Sequence, residues 1–322
     1  MGPGARTALR LSGGVVVIAV VVWRLGTGPF VDGVRAVHPG TLLTAVAIGA
    51  VATVLAAERW RVVAGALGIG LPLRAAVAAY YRSQFLNSAL PGGVLGDVHR
   101  GVRHGADAGD LGRGVRAVVW ERTAGQAVQV AVAVGVLLVL ASPLRPAVPA
   151  VAVGGAALVV LSLIAVRALV RHASARVSRT ARRVAREVRE ALLAPSAWPT
   201  VVLTSLLVVV AYLATFLLAA AAVGVPASVS QLLPLALVVL LAAAIPFNVG
   251  GWGPREGAAA WVFAAGGLGA EAGVATATAF GVLTLAAVLP GAVVLLVDRR
   301  VARRRPAPDP ILTRREDGAL YG

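Results

Sequence analysis

The chain alternates long apolar runs with short arginine-rich segments. Residues 11–23, 41–57, 123–144, 146–166, 191–254 and 272–297 contain no charged side chain. A transmembrane helix takes about 20 mostly apolar residues, so these runs read as membrane spans. The first is short, and after Arg6 and Arg10 it resembles a signal-peptide core. No A-x-A-like cleavage site follows Trp23, so it is read as an uncleaved span with Arg10 snorkelling to the interface. The run 191–254 must hold several elements, because Gly224, Pro226 and Ser228 break it and 246–254 breaks it again.

Composition narrows the class. The chain is 58% hydrophobic and 14% charged, against about 45–50% and about 25% in soluble domains. A soluble globule is excluded, and so is disorder, which needs low hydrophobicity. What remains is an all-α polytopic membrane protein. With no cysteine, thiolate chemistry is excluded. Of the four histidines only His99 and His104 are close, and a spacing of five leaves them off one helical face. No metal or cofactor is expected.

The formal charge is +16 and every basic residue is arginine. Because the arginines lie between apolar runs, they set orientation rather than mark nucleic-acid binding. The segment 167–190, with Arg167, Arg171, Arg176, Arg179, Arg182, Arg183, Arg186 and Arg189, and the tail, with Arg299, Arg300 and Arg303 to Arg305, belong on the cytoplasmic side. That places both termini inside and the chain in the plasma (inner) membrane. The count then works with about six full spans plus two broken or re-entrant helical hairpins, near 75–100 and 231–268. We expect one integral membrane domain over 1–305, with halves about 8–170 and 190–298, and a disordered cytoplasmic tail over 306–322.

The two breaks resemble each other. Ala89-Leu90-Pro91-Gly92-Gly93-Val94-Leu95-Gly96-Asp97-Val98-His99-Arg100 aligns with Ala244-Ile245-Pro246-Phe247-Asn248-Val249-Gly250-Gly251-Trp252-Gly253-Pro254-Arg255. In each, a helix stops at proline, a glycine-rich turn follows, and arginine comes nine residues after the proline. An odd number of spans between the hairpins puts them on opposite membrane faces, the layout of an inverted repeat with a midplane site. Pro91 and Pro246 end their helices by lacking an N–H. Gly92, Gly93, Gly96, Gly250, Gly251 and Gly253 allow positive φ and leave amides free for an anion. Arg100 and Arg255 add a planar fork suited to phosphate. The competing reading has both arginines snorkel to headgroups. Asp97 precedes Arg100 by three residues, the spacing of an ion pair. Glu121-Arg122 and Glu256 read as structural partners or as groups that orient substrate. Asn87 and Asn248 bond headgroup oxygens or cap helices. Trp252 and Trp261 read as interface anchors or packing.

Ser83-Gln84-Phe85-Leu86-Asn87-Ser88-Ala89-Leu90-Pro91-Gly92-Gly93 with Gly96-Asp97 and Arg100 resembles an F-x-N-x-x-x-P-G-G-x-x-G-D-x-x-R signature. Glu121-Arg122 with Gly125 is similar to an E-R-x-x-G element, and Pro246, Gly250-Gly251, Gly253 and Arg255-Glu256 to a late P-x-x-x-G-G-x-G-x-R-E element. These resemble the lysylphosphatidylglycerol synthase transmembrane, or flippase-like domain, family, over about residues 10–300. The resemblance implies a membrane domain that moves aminoacylated or other anionic lipids between leaflets. In full synthases a soluble C-terminal domain transfers the aminoacyl group, an activity not expected here. Pro254 departs from the family's apolar residue and suits the first position of a helix.

The sequence contains no G-x-S-x-G, Walker A or H-E-x-x-H motif. The leading reading is a lipid flippase or translocator for an anionic or aminoacylated (glyco)phospholipid or a polyprenyl-phosphate lipid. It binds the headgroup through Asn87, Gly92, Gly93, Gly96, Asp97, Arg100, Glu121, Arg122, Asn248, Gly250, Gly251, Gly253, Arg255 and Glu256. Two alternatives stay open: an intramembrane lipid-modifying enzyme using Asp97, Glu121 or Glu256, or a scaffold for a separate lipid synthase or glycosyltransferase. Membrane lipids are the expected partner and nucleic acid is not.

Overall fold

The computed structural model describes residues 15–90, 93–140, 197–245 and 251–304, with isolated positions between 144 and 160. Among these residues every element is a helix, as the apolar runs required. The first two, α1 (Val15–Leu25) and α2 (Gly28–Arg35), meet at a 98° bend. Then come α3 (Pro39–Ala66), α4 (Leu73–Ala89), α5 (Leu95–Asp107) and α6 (Leu111–Val139). The second half holds α7 (Trp198–Val223), α8 (Val229–Ala243), α9 (Pro254–Ala265), α10 (Ala270–Val288) and α11 (Pro290–Arg304).

Side chains and glycines fix the helix ends locally. His38 Nδ1 accepts from the Thr41 amide and the Thr41 hydroxyl oxygen accepts from the His38 amide, closing a capping box on α3. Ser228 and Gln231 do the same for α8. Asp110 caps α6 by accepting from the Arg113 amide at 2.9 Å. Gly224, with φ 79°, ends α7 in the left-handed region. Pro254 does stand at the first position of α9.

Four helices are long and apolar enough to cross a bilayer alone: α3, α6, α7 and the run Ala270–Asp298 formed by α10 with the start of α11. The bent α1–α2 pair is a fifth candidate. The described residues therefore account for four or five of the expected six full spans. The expected first span is one arm of the bent pair. The expected span near 147–167 is described only at isolated positions, and the basic segment 167–190 and the tail 306–322 lie outside the described residues. The hairpin arms are short. At 1.5 Å per residue, α4, α5, α8 and α9 run about 18–26 Å, less than the roughly 30 Å hydrocarbon core.

The two halves repeat in order and in packing. α3 packs on α4, α4 on α5, α5 on α6, and α6 returns to α3. In the same way α7 packs on α8, α8 on α9, α9 on α10, and α10 returns to α7. Between halves, α3 meets α7. The α6–α7 contact is matched by α10–α3, and α6–α8 by α10–α4. Exchanging the halves maps this pattern onto itself, as a repeat with an approximate two-fold axis requires.

Close packing fixes the register of the repeat. Gly114 is the fourth residue of α6, and a Cβ there would collide with the backbone of Gly101 and Gly105 on α5. Gly273 is the fourth residue of α10, and a Cβ there would collide with the Ala259 carbonyl on α9. Small residues let backbones approach where lipid supplies no hydrophobic drive. The outer faces stay apolar: Leu203, Leu207 and Val210 of α7 are exposed, as expected of a surface solvated by acyl chains. We expect Gly114→Val and Gly273→Val each to cost about 1–3 kcal/mol by overpacking, read as a lowered melting midpoint of the detergent-solubilised protein.

Candidate functional site

The first half buries a charged cluster at the meeting point of α3, α4, α5, α6 and α7. On α4, Tyr80, Ser83 and Asn87 share one face through their i, i+3, i+7 spacing. The Ser83 hydroxyl donates to Asp97 Oδ1 at 2.9 Å, and Asn87 Nδ2 donates to Asp97 Oδ2 at 3.0 Å. Asn87 Oδ1 accepts from the Gly96 amide at 2.7 Å. Asn87 thus caps α5 from across the break, the second of the two roles its position allowed. Asp97 also takes Arg100 Nη2 at 3.1 Å and Arg122 Nη2 at 2.9 Å. The ion pair expected from the three-residue spacing of Asp97 and Arg100 is therefore present.

Glu121 is the centre of the cluster and is fully buried. Its Oε1 accepts from Arg59 Nε at 2.9 Å, from Arg59 Nη2, and from the Tyr80 hydroxyl at 3.1 Å. Its Oε2 accepts from Arg100 Nη2 at 3.1 Å. Arg59 also donates to the Ser205 hydroxyl on α7 at 3.0 Å, tying this cluster to the other half. Gly125 follows Glu121 by one turn, and a Cβ there would lie 2.9 Å from Arg59 Nη1. The glycine of the E-R-x-x-G element makes room for the guanidinium that pairs with its glutamate.

Arg100 lies between two rings, its guanidinium carbon 4.5 Å from the Trp60 centroid and 4.2 Å from that of Tyr80. Ring faces stabilise a cation but offer no lone pair. Arg100 Nε and Nη1 and Arg122 Nε are buried with no hydrogen-bond partner. Arg59, Arg100 and Arg122 face two carboxylates, Asp97 and Glu121, so the cluster holds one surplus positive charge. It reaches the surface at Arg122, whose side chain is 41% exposed.

In the second half, Glu256 accepts from the Gly253 amide at 2.7 Å and from Arg255 Nε at 2.8 Å and Nη2 at 2.5 Å. Arg255 rests on the rings of Trp252 and Phe280. Trp252 is thus packing for the arginine, while Trp261 stays exposed. Gly93, Gly251 and Gly253 have positive φ, as their turns demand. Pro91, Gly92, Pro246, Asn248 and Gly250 lie outside the described residues. Among the described residues no hydrogen bond, ion pair or ring contact joins Arg100 to Arg255. Each is held within its own half.

The aligned arginines are not structural equivalents. Arg100 is the sixth residue of α5, whereas Arg255 is the second of α9. The true counterparts are Asp97 and Glu256, each at the third position of its helix, where a carboxylate suits the helix dipole. Taking Gly114 and Gly273 as the common register, Glu121 corresponds to Phe280 and Arg122 to Gly281. A Cβ on Gly281 would collide with the Arg255 guanidinium. In one half, then, the third-position acid is paired by an arginine from the following span. In the other it is paired by its own neighbour, seated where that span has glycine. Phe216, Phe263 and Phe280 fill the second half with ring contacts at 5.7–6.3 Å.

A family model described as the lysylphosphatidylglycerol synthase TM region matches residues 8–291. The chain belongs to that family. No curated protein and no solved structure gives a significant match. In this family member, Ser83, Asn87, Asp97, Arg100, Glu121 and Arg122 of the family-like motifs join Arg59, Tyr80 and Ser205 in the buried cluster.

Between the halves, α3, α4, α7 and α10 leave a cavity of about 40 Å³, lined in part by Gly49, Thr53, Gln84, Tyr212, Thr215 and Thr284. That is room for a few waters. None of its lining residues belongs to either charged site.

The charge-free run 41–57, read as a span, stops just before Glu58, Arg59 and Arg61. Instead α3 continues to Ala66 and Arg59 is buried. The signal was present: Arg59 falls on the same helical face as Ala52, Ala56 and Val63, all buried. Trp60, Tyr80, Ser83 and Ser205 were also missed as members of the site. Replacing Glu121 by Gln should cost about 3–5 kcal/mol, since it leaves buried arginines unneutralised. Glu58→Gln, which breaks the partly exposed pair with Arg61, should cost about 0–1 kcal/mol. Melting midpoints of the two variants check the contrast.

Proposed function

We propose that the protein moves a lipid with an anionic headgroup between the leaflets of the plasma membrane, with both termini in the cytoplasm and the two hairpins entering from opposite faces. The observation that carries this reading is the uncompensated charge of the first-half cluster, with buried guanidinium N–H groups that lack an acceptor. A headgroup phosphate supplies both the missing charge and the missing lone pairs. Arg122 offers the way in, and the small, largely apolar cavity between the halves is where a path would open if they part. Arg255 is neutralised by Glu256 and supports its hairpin instead of binding the headgroup.

The carboxylates fit this reading better than acid–base chemistry. Both oxygens of Asp97, Glu121 and Glu256 already accept hydrogen bonds, which leaves none poised to exchange a proton with substrate. The lipid would be supplied by a separate synthase or glycosyltransferase.

The test is leaflet transfer of fluorescent phosphatidylglycerol in vesicles containing the purified protein. Arg122→Gln should slow transfer about tenfold, the worth of one charge-assisted bond, while the melting midpoint falls less than in Glu121→Gln because Asp97 keeps Ser83, Asn87 and Arg100. Transfer unchanged in that variant overturns the reading. Separately, single cysteines at Val94 and Val249 should react with an impermeant maleimide from opposite sides of the vesicle. Reaction from one side defeats the inverted arrangement.

A further inference from the structure

A second group of arginines lies on the same hairpin, farther from its tip. Arg82 of α4 is buried and Arg103 of α5 is 47% exposed. Both donate to one oxygen, Oδ2 of Asp298 on α11, Arg103 at 2.9 Å. Asp298 is the lone acid of α11. Two guanidiniums thus share one carboxylate oxygen, and Arg82 Nε is buried with no partner. The other carboxylate nearby, Asp107, lies one turn beyond Arg103 and is exposed.

A single carboxylate leaves this arrangement incomplete, because both arginines converge on Oδ2 while the buried Arg82 Nε finds no acceptor. A phosphate group, with more oxygens arranged tetrahedrally, satisfies both forks and reaches the orphaned Nε. Depth also selects the ligand. The apolar run 272–297 ends one residue before Asp298, so the pair of arginines meets the boundary between acyl chains and headgroups. The second half offers no equivalent: α8 and α9 carry no arginine besides Arg255.

We propose that Arg82 and Arg103 form a docking site for the phosphate of an anionic lipid at the membrane interface, and that Asp298 occupies it in this conformation as an internal substitute. A lipid phosphate exchanging with Asp298 frees the C-terminal part of α11 from Arg82 and Arg103, while Gly291 keeps its start packed against Tyr81 and Phe85 of α4. The inference rests on the lipid-transfer reading for its ligand class alone.

The experiment measures binding of dihexanoylphosphatidylglycerol and, separately, inorganic phosphate to the full chain in neutral detergent. Asp298→Asn removes the internal competitor and should tighten binding about tenfold, the equivalent of one charge-assisted hydrogen bond. Adding Arg103→Gln to that variant should reverse the gain. If inorganic phosphate gains as much as the lipid, the site reads phosphate by itself. If the lipid alone gains, it reads the headgroup in place. Equal binding of both probes by wild type and Asp298→Asn overturns the proposal. Should Asp298→Asn fail to fold, Arg103→Gln in the otherwise wild-type chain decides: weaker lipid binding supports the site and unchanged binding defeats it. Nitroxide labels on single cysteines at Ala106 and Leu296, both exposed, should move apart when the lipid is added. Binding without leaflet transfer sinks only the transport reading, while transfer with binding indifferent to Asp298 sinks only this one.

Discussion

A charge taken out of water must find its opposite close by, and this molecule meets that demand at Glu121. Two carboxylate oxygens gather Arg59 from α3, Tyr80 from α4 and Arg100 from α5, while Arg59 reaches on to Ser205 of α7. Helices that share no hydrophobic drive in lipid are thereby fixed in relative position by directional bonds. The glycines around the cluster follow from it, because Gly125 clears the space in which the Arg59 guanidinium lies.

The repeat makes the polarity of this cluster informative. One scaffold, set by the same glycine position near the start of α6 and α10, carries an ionic centre in one copy and an aromatic one in the other. Glutamate in the first corresponds to Phe280 in the second. The ionic centre keeps unmet donors and one surplus charge. Among the described residues of the aromatic centre, Arg255 is matched to Glu256 and no buried arginine nitrogen is left without a partner. The unmet donors therefore lie in the first half, although a motif alignment divides the charged residues equally between the two.

Much of this was legible in the chain, for reasons that differ from element to element. The long helices were plain because an unbroken apolar run has one solution in a bilayer. The pairing of Asp97 with Arg100 followed from helical spacing. The breaks were visible in proline and glycine, but the equivalence drawn between Arg100 and Arg255 was not real. It counted residues from the prolines, whereas the second helix of each hairpin starts at a different distance from its proline. Arg59 was hidden because a charge near the end of an apolar run ordinarily marks the membrane boundary. Asp298 was hidden because its two partners lie about two hundred residues earlier in the sequence, a distance local pattern cannot bridge.

The contrast between the centres has a mechanical corollary. Interlocked rings resist deformation, since any shift opens voids that nothing fills. Guanidinium–carboxylate contacts can trade partners at little cost as long as each charge stays matched. The half built on Phe216, Phe263 and Phe280 is accordingly the stiffer of the two, and the half built on Glu121 the more adaptable.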